Sequence, residues 1–143
     1  MASRVSARFQ KLLAERKLMK ASVSKGMIEK EVQAANNDLK DSKDSLSERK
    51  FKWATIQAYY SMFHSARTLL YSRGYRERSH FALLVAVREL FGNELVTNLI
   101  STFEEGMELR QEADYGLKFS EHGAQETVEG AGELLSKVKE LLS

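Results

Sequence analysis

The sequence contains no cysteine and no proline. Without cysteine there is no disulfide framework and no thiolate chemistry. A proline in a helix interior costs about 3 kcal/mol, so a chain free of it is suited to an all-helical fold. The N-terminus has neither a long apolar core nor a small-residue cleavage site, so no secretory signal is expected and the chain reads as cytoplasmic. No stretch offers the ~20 predominantly apolar residues that a membrane-spanning helix needs, so no membrane association is expected. An excess of charge of one sign is also lacking. The formal net charge is +2 and the sequence pI is near 8.8. That is too little to argue for nucleic acid from bulk charge, and any anion site has to come from local clustering. No alternating strand pattern, internal repeat or phosphate-binding P-loop is found. His64, His80 and His122 are scattered, with no ligand pair on one helical face, so neither a zinc site nor any cofactor is expected.

At 143 residues the chain is expected to be one domain. A chain of this size buries ~68% of the surface its unfolded form exposes, enough for an ordinary core. The stretch that organises it is Phe51 to Tyr75. Between Lys52 and Arg67 there is no charged residue, although 29% of the chain is charged. Ile56, Tyr59, Tyr60, Phe63, Arg67 and Leu70 share one side at helical spacing. Phe51, Ala58, Met62, Ala66 and Leu69 cover the adjoining side, leaving a narrow polar strip of Gln57, Ser61, His64, Ser65, Thr68 and Ser72. A helix apolar around most of its girth must be buried on most of its girth. It shows more apolar surface than one antiparallel neighbour covers, which predicts a homodimer.

The flanking pattern is helical throughout. Val5, Phe9, Leu12, Leu13 and Met19 predict an added N-terminal helix within residues 1–22. Ser22 or Ser24 can cap a second helix, with Ile28, Val32, Ala35, Leu39 and Leu46 as a thin apolar stripe. Gly74 ends the central helix, since glycine tolerates positive φ, and Tyr75 to Ser79 reads as a turn. Ser79 caps a helix bearing Phe81, Leu84, Val85, Val87, Leu90 and Phe91. After a break at Gly92-Asn93, Leu95, Val96, Leu99, Ile100, Phe103 and Met107 mark another, running to about Asp114. Ser120 caps the last, striped by Ala124, Val128, Ala131, Leu135, Val138 and Leu142. Gly123, Gly130 and Gly132 are read as points of close helix approach. The expectation is an all-α, up-and-down antiparallel bundle of five to six helices.

Two charges break these stripes. Continuing from Met107 by three and four lands on Arg110 and Asp114. They are four apart on one face and can pair, because a charge on a buried face is costly unless partnered. Spacing alone leaves two readings: an ion pair that locks the helix end, or a guanidinium steadied by Asp114 and aimed at phosphate, an anion that suits its planar fork. Tyr115 beside it is either an ordinary half-buried aromatic or a stacking and hydrogen-bonding group. The second candidate is the basic turn holding Arg73, Arg76, Arg78 and His80 ahead of a helix N-terminus. Free backbone N–H groups favour an anion there; the plainer reading is a solvated basic turn. His64 reads as a structural or interface group, and Arg67 as a cation paired with a carboxylate. No nucleophile–base pair is evident.

The block Ala58-Tyr59-Tyr60-Ser61-Met62-Phe63-His64-Ser65-Ala66-Arg67-Thr68-Leu69-Leu70-Tyr71-Ser72-Arg73-Gly74-Tyr75, with Ser79-His80 shortly after, resembles the HEPN domain family (higher eukaryotes and prokaryotes nucleotide-binding). Leu109-Arg110-Gln111-Glu112-Ala113-Asp114-Tyr115 is similar to a segment of the branch found beside minimal nucleotidyltransferases. The resemblance covers roughly Ile28 to Leu142. It implies a dimerising helical bundle with a cleft for nucleotide or RNA phosphates. It also implies a role in toxin–antitoxin-type pairs, with a nucleotidyltransferase as partner. Many members are metal-independent ribonucleases, with an arginine followed four to six residues later by a histidine. Here Arg110 fits the arginine, but residues 115–117 are Tyr, Gly and Leu, and His122 is too far along. Arg73 to His80 has the spacing but lies in the turn after the central helix, and is set aside. The residues thus support a binding module first, a helical interaction scaffold with structural Arg110 and Asp114 second, and an RNA-cleaving toxin with an unconventional acid–base group third.

Overall fold

A computed structural model describes residues 6–95 and 97–143. Val5 and Val96 of the stripes above lie outside the described residues. Among the described residues there are six helices: α1 (Ala7–Ala14), α2 (Lys25–Ser47), α3 (Phe51–Ser72), α4 (His80–Phe91), α5 (Thr97–Asp114) and α6 (Glu121–Leu142). The fold is an all-α bundle, as expected.

Serine side chains start four of these helices. Ser6, Ser24, Ser79 and Ser120 each accept a hydrogen bond from the backbone N–H three residues on, satisfying a donor that the first turn leaves orphaned. Gly74, at φ 79°, closes the end of α3 with its N–H donated to the Tyr71 carbonyl.

Helix α3 is the axis. It packs against α2, α4, α5 and α6, and Ala58, Tyr59, Met62, Leu69 and Leu70 are fully buried. Where α3 packs against α2, the buried residues of α2 are small: Ala35, Ser42 and Ser45. The Ser61 hydroxyl donates to the Ala35 carbonyl at 2.8 Å, so its burial is matched by a hydrogen bond. On the opposite side Gly130 of α6 lets Thr102 of α5 and Met62 of α3 close in. A Cβ there would lie 2.2 Å from Thr102 Cγ2. Gly132 has no neighbour within 4 Å of such a Cβ, so the close approach expected there is not made.

A small sheet, not expected from the sequence, joins two connecting segments. Strands β1 (Leu18–Lys20) and β2 (Tyr75–Glu77) pair antiparallel, with Leu18 opposite Glu77 and Lys20 opposite Tyr75. Three-residue strands carry too little alternation to be seen in a sequence. The consequence is that the N-terminal extension is not one helix. It is a short α1 followed by a strand, and it grips the segment between α3 and α4: Phe9 is fully buried, with its ring 5.4 Å from Tyr75. Phe81, expected in the core, is half exposed with the Arg8 guanidinium 5.0 Å above it.

Candidate functional site

Arg110 lies where its spacing put it, on the inner face of α5, and is only 7% exposed. It is not paired with Asp114. Asp114 is exposed, and no carboxylate among the described residues forms an ion pair with Arg110. The α5 helix ends at Asp114, so the acid stands at the bundle's rim while the guanidinium reaches inward. Its surroundings are aromatic instead. The Cζ atom is 5.0 Å from the Tyr59 ring centre, and 5.9 Å from those of Tyr60 and Tyr115. Ring faces are negative and attract a cation, which offsets part of the cost of burying it. Nε is sealed from solvent and has no hydrogen-bond partner.

Tyr59 connects this cation to a histidine. The Tyr59 hydroxyl and Nδ1 of His80 are 2.5 Å apart. Burial pushes the phenol far above its ordinary range, with the nearby Arg110 charge only partly opposing. Tyr59 therefore keeps its proton and donates it. Burial, then the positive charges of Arg110 and Arg67, hold His80 below its ordinary range against the opposing pull of Glu77. The imidazole is neutral at pH 7, with Nδ1 accepting and the N–H on Nε2. Its ring stacks on Phe63, 4.5 Å between centres. His80 is the first residue of α4, and Arg110 sits in the last turns of α5. A cation and an N–H donor from two different helices thus flank one tyrosine.

The basic turn does not act as one cluster. Arg73 lies over Phe91, 4.4 Å from the ring centre, and is 3.8 Å from a Glu94 carboxylate oxygen. Arg76 is exposed on β2 opposite Met19. His80 turns away from both, toward Tyr59.

A second polar assembly lies along α3. Arg67 Nε donates to both Glu77 carboxylate oxygens, at 3.2 and 3.0 Å, and Nη1 reaches Glu31 at 3.4 Å. His64 Nδ1 meets the other Glu31 oxygen at 2.6 Å, and Nε2 is 3.6 Å from Asp38. Although burial works against it, hydrogen bonds from His64 and the charge of Arg67 hold the Glu31 carboxyl below its usual range. Arg67 is thus carboxylate-paired, as read from sequence. The carboxylate-paired Arg67 marks this assembly as architecture that ties α2 and β2 to α3.

Tyr59, Tyr60 and Glu77 were not singled out from sequence as site residues. The two tyrosines looked like core, and only the fold shows which buried ring has a cation above it.

No group of three or more His, Cys, Asp or Glu among the described residues has a metal-holding arrangement. No described helix is long and apolar enough to cross a membrane. The model of the family described as "HEPN domain" matches residues 28–143. No curated protein sequence matches the chain. Among solved structures, the crystal structure of TT1696 from Thermus thermophilus is similar, at 17% identity and a TM-score of 0.68, covering 79% of this chain and 96% of that one. At that identity the likeness shows the fold alone. With the family match spanning everything from early α2 to the last residue, this chain belongs to the HEPN domain family, a nucleotide-binding and ribonuclease-type family.

Proposed function

We propose that this protein binds a nucleotide or RNA through a phosphate held at Arg110. One observation carries the reading: an arginine nine-tenths buried with no carboxylate beside its guanidinium among the described residues. Structural buried charges are paired, as Arg67 is, because an unpaired one is costly. A cation left without a carboxylate inside an aromatic cage is arranged for a ligand that brings the negative charge. His80 supplies an uncharged second donor, and Tyr115, 76% exposed, supplies a ring at the mouth. Asp114 lies at the rim and does not steady the guanidinium. Arg73 and Arg76 belong to the outlying basic surface.

The protein acts in this reading as a cytoplasmic homodimer and as a toxin–antitoxin-type partner of a nucleotidyltransferase, as family membership suggests. The test is a titration with nucleotides and RNA on wild type and Arg110→Met, each shown first by thermal melting to be fully folded at the temperature of the titration. Arg110-dependent binding is the expected result. Equal binding by both proteins removes Arg110 from the site and leaves a helical scaffold.

A second reading, cleavage of the bound RNA, has its own observation. His80 stands beside Arg110 although no histidine follows Arg110 at the family's spacing, and its Nε2 makes no hydrogen bond with a described residue. RNA cleavage in the presence of chelator, lost in His80→Ala and Arg110→Met alike, is its signature. Intact RNA under those conditions removes this reading.

A further inference from the structure

Three large side chains stand out of the α5–α6 loop: Tyr115, Leu117 and Phe119 are 76%, 67% and 52% exposed. The loop is not slack, because the Lys118 N–H is tied back to the Glu112 carbonyl at 2.9 Å. Trp53, 51% exposed, lies in the first turn of α3. Tyr60 follows it two turns later, so the two share a helix face about 10.5 Å apart. Arg49 meets Glu121 at 3.4 Å, which brings the α2–α3 turn against the start of α6. Trp53, the loop and Tyr115, whose ring lies beside Arg110, therefore gather toward one end of the bundle.

Cations accompany these rings. Lys52 Nζ is 5.0 Å from the Trp53 ring centre, and Arg49 Cζ is 5.1 Å from that of Phe51. Neither Lys52 nor Lys118 forms an ion pair among the described residues. Lysine is depleted in protein–protein interfaces. Exposed rings interleaved with unpaired cations are what single-stranded nucleic acid needs, one for its bases and the other for its phosphates.

We infer that the ligand of the Arg110 site is a single-stranded polynucleotide, with one phosphate at Arg110, the adjoining base on Tyr115 and a further base on Trp53. This rests on the phosphate reading above and adds to it: the ligand is longer than a mononucleotide. The span from Tyr60 to Trp53 exceeds one stacked nucleotide step of ~3.4 Å, and Lys52 meets the outer phosphate.

Trp53 is the chain's one tryptophan, so its fluorescence reports on this subsite alone. Wild type is titrated with a short uridine oligomer, the matching thymidine oligomer, a duplex of equal length, uridine monophosphate and inorganic polyphosphate. The single strands are expected to quench Trp53 and to bind about tenfold or more tighter than the mononucleotide. The duplex and polyphosphate are expected to leave the fluorescence unchanged. The two oligomers separate RNA from DNA as the source. Fluorescence anisotropy of the labelled oligomer follows Trp53→Ala and Tyr115→Ala, each first shown by thermal melting to be folded. Each is expected to weaken oligomer binding about tenfold, while Trp53→Ala leaves uridine monophosphate binding unchanged. Arg110-dependent mononucleotide binding with no gain for the oligomer and no quenching overturns this inference and leaves the phosphate site standing. Polyphosphate binding as tightly as the oligomer overturns it as mere charge attraction. No binding of any probe overturns both.

Discussion

Tyr59 on α3 donates its phenolic hydrogen to Nδ1 of His80 on α4, while the Arg110 guanidinium of α5 rests on the same tyrosine's ring. Three helices meet at one side chain. The hydrogen bond fixes the imidazole as the Nε2–H tautomer, and the ring face steadies a cation that has no carboxylate. Both consequences are open to measurement.

Replacing Arg110 with methionine keeps an apolar stem and removes the buried charge. Since no protein carboxylate is left unpaired, the fold is expected to lose less than about 1 kcal/mol, or to gain stability. The phosphate ligand is expected to raise the melting temperature of wild type and not that of Arg110→Met. Thermal melts with and without ligand check both.

His80 makes stability depend on pH in a set direction. Its folded-state pKa lies below the ordinary value of 6.5, so between the two values the unfolded chain binds more protons. Stability is therefore fully present above about pH 6.5 and falls as the pH drops through the folded-state value. Denaturant unfolding between neutral and mildly acidic pH should show that loss, and His80→Gln should flatten it. In Tyr59→Phe, the hydrogen bond that favours the neutral ring is gone, so the His80 pKa measured by NMR should rise.

The Arg67–Glu77 pair is expected to behave in the opposite way to Arg110. The Glu77 side chain is 3% exposed and takes both Arg67 Nε contacts. Arg67→Met strands that carboxylate and should cost about 3 kcal/mol, near the low end for a broken buried pair because Arg67 itself is a quarter exposed. Arg67→Met with Glu77→Gln should recover part of the loss in a chemical denaturation series.

Gly130→Ala tests the tightest helix contact. The added Cβ would sit 2.2 Å from Thr102 Cγ2 and 3.2 Å from Met62 Cε. Thr102 is branched and its hydroxyl donates to the Asn98 carbonyl, so it cannot swing aside freely. A loss of about 1–3 kcal/mol is expected from overpacking. Gly132→Ala, which meets nothing within 4 Å, is the control and should leave stability unchanged or slightly raised.

The helices themselves were legible residue by residue. The charge-free run from Trp53 to Ala66, the serine caps Ser24, Ser79 and Ser120, the stop at Gly74 and the break at Gly92-Asn93 all mark features that the structure has. They are local, and periodicity reports local geometry directly. Arg110 was legible for the same reason: it broke a stripe. The β1–β2 pair was not, because three residues cannot show a period, and the pairing joins segments on either side of two long helices.

Sequence alone thus determined an all-helical chain with one greasy axis and a cation on a buried face. Only the tertiary structure decided what that cation meets. Asp114, its neighbour along the helix, points to solvent, whereas Tyr59 and His80 arrive from other helices. A stripe tells which side of a helix is inward; which atoms wait on that side depends on how the helices pack, and packing is a property of the whole chain.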